Sequence, residues 1–210
     1  MAELGIPDPA ERDDLGAFVA RAVRLDGNAL VRLRARRDRV DGWVATPFDT
    51  LVTRSVPGTV LPGDLTVRGS DLLGALAVAG RAVVDPGRAQ DALWRCELPP
   101  AQGWRDVDQV PAEVLSDLAD RGAAVARDNP GPHGAPPTGL LDQKVITVSG
   151  AGFDVQVPLR CLLALSGMGF LGGHSAAEAV RVSATDSWLR LDARYGAALR
   201  RRHALLPLLV

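Results

Sequence analysis

The chain has 210 residues, of which 47% are hydrophobic, and its 24 basic and 25 acidic residues leave a formal net charge of −1. This length can bury a substantial core, as one domain or as two smaller ones. The balanced charge excludes a strong global attraction to nucleic acid, acidic polymers or membranes, so local patches must select any partner. Lys144 is the only lysine. Both genomic base composition and a need for planar guanidinium groups would produce that preference for arginine.

Neither the cysteines nor the apolar segments indicate export or membrane insertion. Cys96 and Cys161 lie far apart in apolar surroundings, so we expect free thiols in a reducing compartment. Residues 1–12 lack the basic start and hydrophobic centre of a signal peptide. The most apolar stretch, residues 155–171, is broken by Pro158 and several glycines and is too short to span a bilayer. We therefore expect a cytoplasmic protein with no membrane partner.

The first third of the chain predicts one helix and a strand meander. Apolar residues recur at helical spacing over 15–23, with acids before them and arginines near the end. After a break at Gly27 the period changes to two over 30–36, and further strands are predicted at 43–46 and 51–56. This pattern is typical of antiparallel strands that follow an amphipathic helix.

A short strand at 65–67 is predicted to run into a helix that begins at Ser70 as its N-cap and is closed by Gly80. Residues 93–98 are a candidate strand, ended by the following prolines. A second amphipathic helix is predicted to start at Pro111, with Val114, Leu115, Leu118, Gly122 and Val125 on one face.

The second half continues with a proline- and glycine-rich loop and returns to strands. We expect the loop over 129–142, a strand at 145–148, and a strand at 155–157 that enters an apolar helix over 158–165. Three closing strands are predicted at 180–183, 188–191 and 197–201.

Two segments align without a gap, which suggests an internal duplication. Residues 65–73 read Leu-Thr-Val-Arg-Gly-Ser-Asp-Leu-Leu, and residues 155–163 read Val-Gln-Val-Pro-Leu-Arg-Cys-Leu-Leu. Each is a short strand that delivers a helix with paired leucines. Chance similarity between two strand-to-helix junctions is the alternative.

The order of these elements resembles the DNA sliding-clamp (processivity factor) superfamily. The matching segments are the helix over 15–23, the Thr46 turn within 42–49, the strand and helix over 62–76, the acidic stretch over 98–108, the helix from Pro111, the Val155-Gln156-Val157-Pro158 junction, and the closing strands over 180–190 and 195–201. The resemblance implies an α+β fold of two similar clamp-like units, each of antiparallel strands backed by short amphipathic helices. We expect unit boundaries of 1–108 and 109–210, the second unit being shortened. Bacterial clamps have three such domains, so a ring would require several copies of this chain.

Arginines at alternating strand positions are the candidate binding residues. Arg32, Arg34 and Arg36 are predicted to project from one sheet face, and Arg200, Arg201 and Arg202 cluster near the C-terminus. Together they could bind phosphates or an acidic partner. An exposed face that uses charge to prevent aggregation would give the same pattern. The apolar stretch 204–210 is a further candidate for docking, on the chain's own core or on a partner.

The sequence offers little support for an enzyme. Gly167 to Gly172 fits G-x-G-x-x-G, but a dinucleotide site should follow a strand, whereas glycines ending a helix suit this context better. His133, His174 and His203 lack metal-ligand spacing, and no metal or cofactor is predicted. We therefore predict a non-catalytic interaction or scaffold protein with an unidentified protein partner, which could be a second copy of the chain. A clamp-like DNA-binding protein and a nucleotide-binding enzyme that uses Gly167–Gly172 are the alternatives.

Overall fold

The structure, a computed structural model, describes residues 2–78, 81–131, 135–172 and 178–202. It divides into two compact units. Unit 1 comprises Met1–Glu97 with Gly167–Gly169, and unit 2 comprises Leu98–Ser166 with Phe170–Val210. Mostly antiparallel strands with short helices confirm the predicted α+β class.

Unit 1 builds two groups of antiparallel strands and two α-helices. The elements are β1 (Glu3–Gly5), α1 (Pro9–Leu25), β2 (Leu30–Arg36), β3 (Arg39–Thr46), β4 (Thr50–Pro57), β5 (Thr59–Leu61), β6 (Asp64–Arg68), α2 (Gly69–Leu76), β7 (Val83–Val84) and a 3-10 turn at Asp91–Leu93. One group has the order β6-β2-β3-β4 and the other has the order β5-β1-β7.

Helix α1 forms where the apolar period predicts it. The Asp8 carboxylate accepts a hydrogen bond of 2.9 Å from the Ala10 N–H, and Pro9 occupies the first turn, where a missing N–H costs nothing. Leu15 and Phe18 are buried against β3. A Cβ on Gly42 would lie 3.3 Å from Leu15 Cδ1, so this glycine lets the helix approach the strand closely.

The predicted meander is confirmed by β2, β3 and β4. Val31 and Leu33 are fully buried and alternate with Arg32 and Arg34, as a sheet with one covered face requires. Arg36 pairs with Arg39, and the left-handed backbone of Arg37 (φ 55°) closes the hairpin between them.

Two local predictions in unit 1 are wrong. Helix α2 begins at Gly69 with Arg68 as its N-cap, so Ser70 lies inside the helix and does not cap it. Gly69 packs tightly, since a Cβ there would lie 2.9 Å from Val23 Cγ2. The predicted strand at 93–98 is absent, because the chain forms a 3-10 turn and then irregular backbone. Gly80, predicted to close α2, lies outside the described residues, and the helix ends at Leu76.

Unit 2 also combines antiparallel strands with α-helices. Its elements are β8 (Arg105–Pro111), α3 (Ala112–Asp128), α4 (Thr138–Leu141), β9 (Lys144–Gly150), β10 (Phe153–Pro158), α5 (Leu159–Gly167), β11 (Ala179–Ala184), β12 (Trp188–Ala193) and β13 (Gly196–Arg201). The strand order is β13-β12-β11-β8, and β9 and β10 form a hairpin. The three closing strands are therefore confirmed, and the loop predicted at 129–142 contains the short helix α4.

Helix α5 is the core of unit 2. Every residue from Leu159 to Leu165 is buried, including Arg160. Helix α3 meets it through Gly122, where a Cβ would lie 2.2 Å from Leu159 Cδ1. Of the predicted apolar face of α3, Leu115 is buried whereas Val114 and Val125 are exposed, because α3 buries a narrower face that centres on Leu115 and Ala119.

The two segments of the suggested repeat have the same local structure. Strand β6 leads directly into α2, and β10 leads directly into α5. In the gapless alignment the first residues of the two helices, Gly69 and Leu159, fall opposite each other. A common origin for the two units stays a prediction.

Candidate interaction surface

The arginines predicted on one face of β2 each contact a carboxylate of unit 1. Arg32 donates two hydrogen bonds of 2.7 Å to the carboxylate of Asp64, and Arg34 Nε lies 3.3 Å from the same group. Arg36 Nε lies 3.1 Å from an Asp41 oxygen. The structure therefore brings Arg32 and Arg34 together on Asp64, while Arg36 has a separate partner.

Arg32 also stacks on an aromatic ring. Its guanidinium carbon lies 5.8 Å from the centre of the Trp94 ring, and the indole N–H donates to the carbonyl of Cys96. The hydrogen bond to Asp64 raises the pKa of Arg32 above its usual value. Partial burial opposes this shift, and the negative charges of Asp64 and Asp91 add to it. Asp64 and Trp94 together fix the plane of this side chain.

The C-terminal arginines lie on β13 and just beyond it, in unit 2. Arg200 Nη2 is 3.5 Å from Asp142 Oδ1, the oxygen that also accepts a 2.6 Å hydrogen bond from the buried Arg160. Arg201 stacks at 5.0 Å on the ring of Trp188. These arginines contact carboxylates and rings of their own unit, as Arg32 does.

Arg202 and Arg105 both contact the aromatic ring of Phe153. Its guanidinium lies 5.1 Å from the centre of the Phe153 ring, and that of Arg105 lies 5.2 Å from the same centre. Arg202 also donates to the backbone carbonyls of Thr185 and Asp154, each at 3.1 Å. This cluster of Arg105, Phe153 and Arg202 connects the tip of the β9–β10 hairpin to β8 and to the end of β13.

A third tryptophan–arginine contact joins Trp104 and Arg190 in unit 2. Arg190 lies 5.9 Å from the ring centre of Trp104 and donates three hydrogen bonds of 2.6–2.9 Å to Asp192. Arg181 reaches the same carboxylate at 3.4 Å, and 52% of its side chain is exposed. Each unit therefore holds a tryptophan against an arginine that a carboxylate orients.

The sequence carried one signal for these contacts. Trp94 and Trp104 occur only ten residues apart, and the stretch between them contains Pro99 and Pro100 and no pattern of a helix or a strand beyond residue 98. A tryptophan in such a stretch needs a partner for its ring and its N–H. The partners, Arg32 and Arg190, could not be named because they are distant in sequence.

The glycine motif ends a helix. Helix α5 runs to Gly167, Gly169 has φ +65°, and Met168 and Phe170 are buried. A dinucleotide site requires a strand before the first glycine, so the alternative built on Gly167–Gly172 lacks its structural context. The glycines instead allow the left-handed turn that follows the helix.

Other candidate chemical groups are few. Among the described residues, no three His, Cys, Asp or Glu side chains are arranged to hold a metal ion, and no helix is long and apolar enough to cross a membrane. His133, His174, His203 and the stretch 204–210 lie outside those residues. Cys161 is buried and Cys96 half-buried, and neither of them forms a disulfide within the described residues. Burial, together with the charge of Asp49, raises the pKa of Cys96.

The fold is similar to that of bacterial DNA polymerase sliding clamps. The clamp of Bacillus subtilis matches with a TM-score of 0.60 at 14% identity, over 99% of this chain and 66% of the clamp. The Caulobacter crescentus pol III beta matches with a TM-score of 0.59 at 12% identity, over 99% and 67%. The DNA polymerase III beta subunit of Thermotoga maritima gives 0.54 at 11% identity, over 99% and 66%. These matches confirm a divergent clamp-like fold that spans about two thirds of the clamps' length.

Family models cover nearly all of the chain. A model described as Domain of unknown function (DUF8010) matches residues 1–96. A second, described as Domain of unknown function (DUF8185), matches residues 99–205, which is half of the chain. A search of the curated proteins gave no match. The chain belongs to the DUF8185 family.

Proposed function

We propose that this chain is a non-catalytic scaffold protein that uses its clamp-like fold to bind a protein partner through arginines on its sheets. The observation that carries the proposal is that arginines predicted to bind a partner are already held by contacts within the chain. Arg32 is held by Asp64 and Trp94, and Arg202 is held by Phe153 and two carbonyls. These guanidinium groups are fixed in space before any partner arrives.

Fixed arginines and aromatic rings suit protein recognition. Arginine and tryptophan are enriched among the residues that dominate binding energy at protein interfaces. A side chain that is already ordered loses less conformational entropy when a partner binds. On β2, Arg34 and Arg36 remain 49% and 63% exposed beside the ordered Arg32, so they are the residues we expect to contact the partner.

The helix charges argue against a role in encircling DNA. Affinity for duplex DNA depends on basic groups that replace counterions at the phosphates. Helix α3 carries Glu113, Asp117, Asp120 and Asp128 against Arg121 and Arg127, a sum of two positive and four negative charges, or −2. Helix α2 contributes Asp71 and no basic residue. Such helix surfaces would repel a phosphate backbone.

The test compares charge-reversed variants in partner capture. An Arg34→Glu/Arg36→Glu double variant should lose a captured partner that the wild-type chain retains at physiological salt. Arg127→Glu is the matched control, because it reverses an exposed arginine on α3 and should leave capture unchanged. Circular dichroism and thermal unfolding would establish that all three proteins are folded.

Light scattering with duplex DNA and a thermal-shift panel of nucleotides address the alternatives. We expect no DNA retention at low or physiological salt and no nucleotide-dependent shift. A closed oligomer that retains DNA would overturn the proposal in favour of a clamp-like DNA-binding protein. Stabilisation by a nucleotide that Gly169→Asp abolishes would overturn it in favour of an enzyme. Capture that survives charge reversal of Arg34 and Arg36 would refute the role of β2.

A further inference from the structure

Strand β6 is the last strand in the order β6-β2-β3-β4, and a segment of the same chain covers its outer side. An uncovered strand at this position would present N–H and C=O groups to any other strand. Residues 85–97, named the strap here, lie against this strand. Thr66, at the centre of β6, is only 1% exposed as a result.

The strap satisfies both outward backbone groups of Thr66. The Gln90 N–H donates to the Thr66 carbonyl at 2.7 Å, and the Thr66 N–H donates to Asp91 Oδ1 at 2.6 Å. A carboxylate thus replaces the carbonyl that a neighbouring strand would supply. Because alternate residues of a strand direct their backbone groups to the same side, the backbone N–H and C=O groups of Asp64 and Arg68 also point to the outer side of β6.

Two more contacts hold the strap in place. Trp94 lies on Arg32, which is directly opposite Thr66 on β2 and is oriented by Asp64. Near its start, Gly87 passes α2 so closely that a Cβ would lie 2.9 Å from the Cβ of Asp71, and its φ of +109° favours glycine. The strap is therefore fastened at its beginning, middle and end.

The sequence of β6 is complementary to itself. It reads Asp64-Leu65-Thr66-Val67-Arg68. If two copies pair antiparallel about Thr66, Asp64 of each copy lies opposite Arg68 of the other, and Leu65 lies opposite Val67. Opposite charges directly across an antiparallel pair stabilise it, and the pairing has the two-fold symmetry of most dimers.

We propose that β6 is a dimerisation strand for a second copy of this chain, and that the strap blocks it by occupying its outer edge. An intramolecular strap has a high effective concentration, so it excludes the second copy while its contacts are intact. Loss of those contacts exposes Thr66 and permits antiparallel pairing of the two β6 strands. The proposal uses the outer backbone edge of β6, although Arg34 contacts Asp64 of this strand, and it does not depend on the partner that Arg34 and Arg36 bind.

The hydrogen-exchange rate of the Thr66 amide tests whether the strap protects the outer edge of β6. Asp91→Ala removes the acceptor of the Thr66 N–H, so exchange of that amide should accelerate about tenfold, the effect of losing one ordinary hydrogen bond. Asp91→Asn keeps an acceptor and should stay near the wild-type rate. The amides of Val31 and Leu33 on β2 should not change, which shows that the unit remains folded. Unchanged exchange at Thr66 in Asp91→Ala would overturn the proposed role of the strap.

Light scattering tests the dimer. The Asp91→Ala/Trp94→Ala variant should show twice the wild-type mass as its concentration rises, with renewed protection of the Thr66 amide. Adding Arg68→Asp should restore the wild-type mass, since two acids would then face each other, whereas α2 gains a favourable N-cap residue in place of Arg68, which makes no side-chain cap hydrogen bond. Arg95→Ala, an exposed strap substitution, is the control and should match the wild type.

A synthetic peptide of residues 85–97 provides a second route. It should return the Asp91→Ala/Trp94→Ala variant to the wild-type mass, and a scrambled peptide should not. Unchanged mass of the released variant, a dimer that survives Arg68→Asp, or irregular large aggregates would each overturn the proposed pairing.

Discussion

Replacing Arg32 with alanine removes the two hydrogen bonds to Asp64 and the stack on Trp94 together. The ion pair is partly exposed, with side-chain exposures of 27% and 41%, so it contributes about 0.5–1 kcal/mol. The stack on Trp94 contributes about 0.5–1 kcal/mol. Asp64 keeps Arg34 at 3.3 Å, so its carboxylate is not left without a cation. We expect a loss of about 1–2 kcal/mol in the free energy of unfolding, and about 2–4 °C in Tm per kcal/mol at this chain length.

Urea denaturation of Arg32→Ala, Trp94→Ala and the double variant would separate the two contributions. The coupling energy between Arg32 and Trp94 should be about 0.5–1 kcal/mol, since residues in contact are not additive. Arg34→Ala is the control, because Arg34 shares Asp64 but is not stacked on Trp94, and it should cost less than about 0.5 kcal/mol. Equal losses for Arg32→Ala and Arg34→Ala with no coupling to Trp94 would refute the reasoning.

Three further substitutions or modifications follow from close packing and burial. Gly150→Ala should destabilise by about 1–3 kcal/mol in thermal unfolding, because its Cβ would lie 2.1 Å from the Val107 carbonyl oxygen; a Tm equal to wild type would contradict this. Gly74→Ala, inside α2 with open space around it, should stabilise by up to about 1 kcal/mol, and a lower Tm would count against the α2 geometry. The raised pKa of Cys96 keeps it a thiol to higher pH, so its alkylation at mildly alkaline pH should be slower in the folded than in the urea-unfolded chain, while the buried Cys161 should react only on unfolding. Because folding raises the pKa of Cys96, the stability that the neutral thiol contributes is present below the pKa of the unfolded chain and is lost as pH rises through the pKa of the folded chain. Faster alkylation of Cys96 in the folded chain than in the unfolded chain would contradict the raised pKa.

Strong periodicity made much of the fold predictable. Helix α1 and strands β2 to β4 follow from apolar residues at 3.6 and 2.0 spacing, which tertiary contacts did not override. Elements of two or three residues, such as β1, β5 and β7, carry too few residues for any period. The strand predicted at 93–98 does not form. The Trp94 ring packs on Arg32 and its indole N–H donates to the Cys96 carbonyl, so this segment is held by side-chain contacts and does not pair with a neighbouring strand.

The candidate surface was predictable in position but not in chemical state. The alternation of Arg32, Arg34 and Arg36 with apolar residues indicated a shared face of the sheet. The pairing of Arg32 and Arg34 with Asp64 could not be inferred, since β6 becomes the neighbour of β2 only through the fold. The strap was missed for the same reason, because a carboxylate that accepts a backbone N–H of another strand has no sequence signature.

The stacked arginines have a consequence for how the chain tolerates substitution. The cluster of Arg105, Phe153 and Arg202 contains no carboxylate, so it depends on the ring face of Phe153, on backbone carbonyls and on planar guanidinium groups. A lysine would keep the positive charge but lose the flat surface and the forked donors. A homologue with lysine in place of Arg105 and Arg202 would keep nearly the same isoelectric point but would lose these contacts with Phe153 at the hairpin tip. Conservation of charge is therefore a poor guide to conservation of structure here, and conservation of guanidinium is the better one.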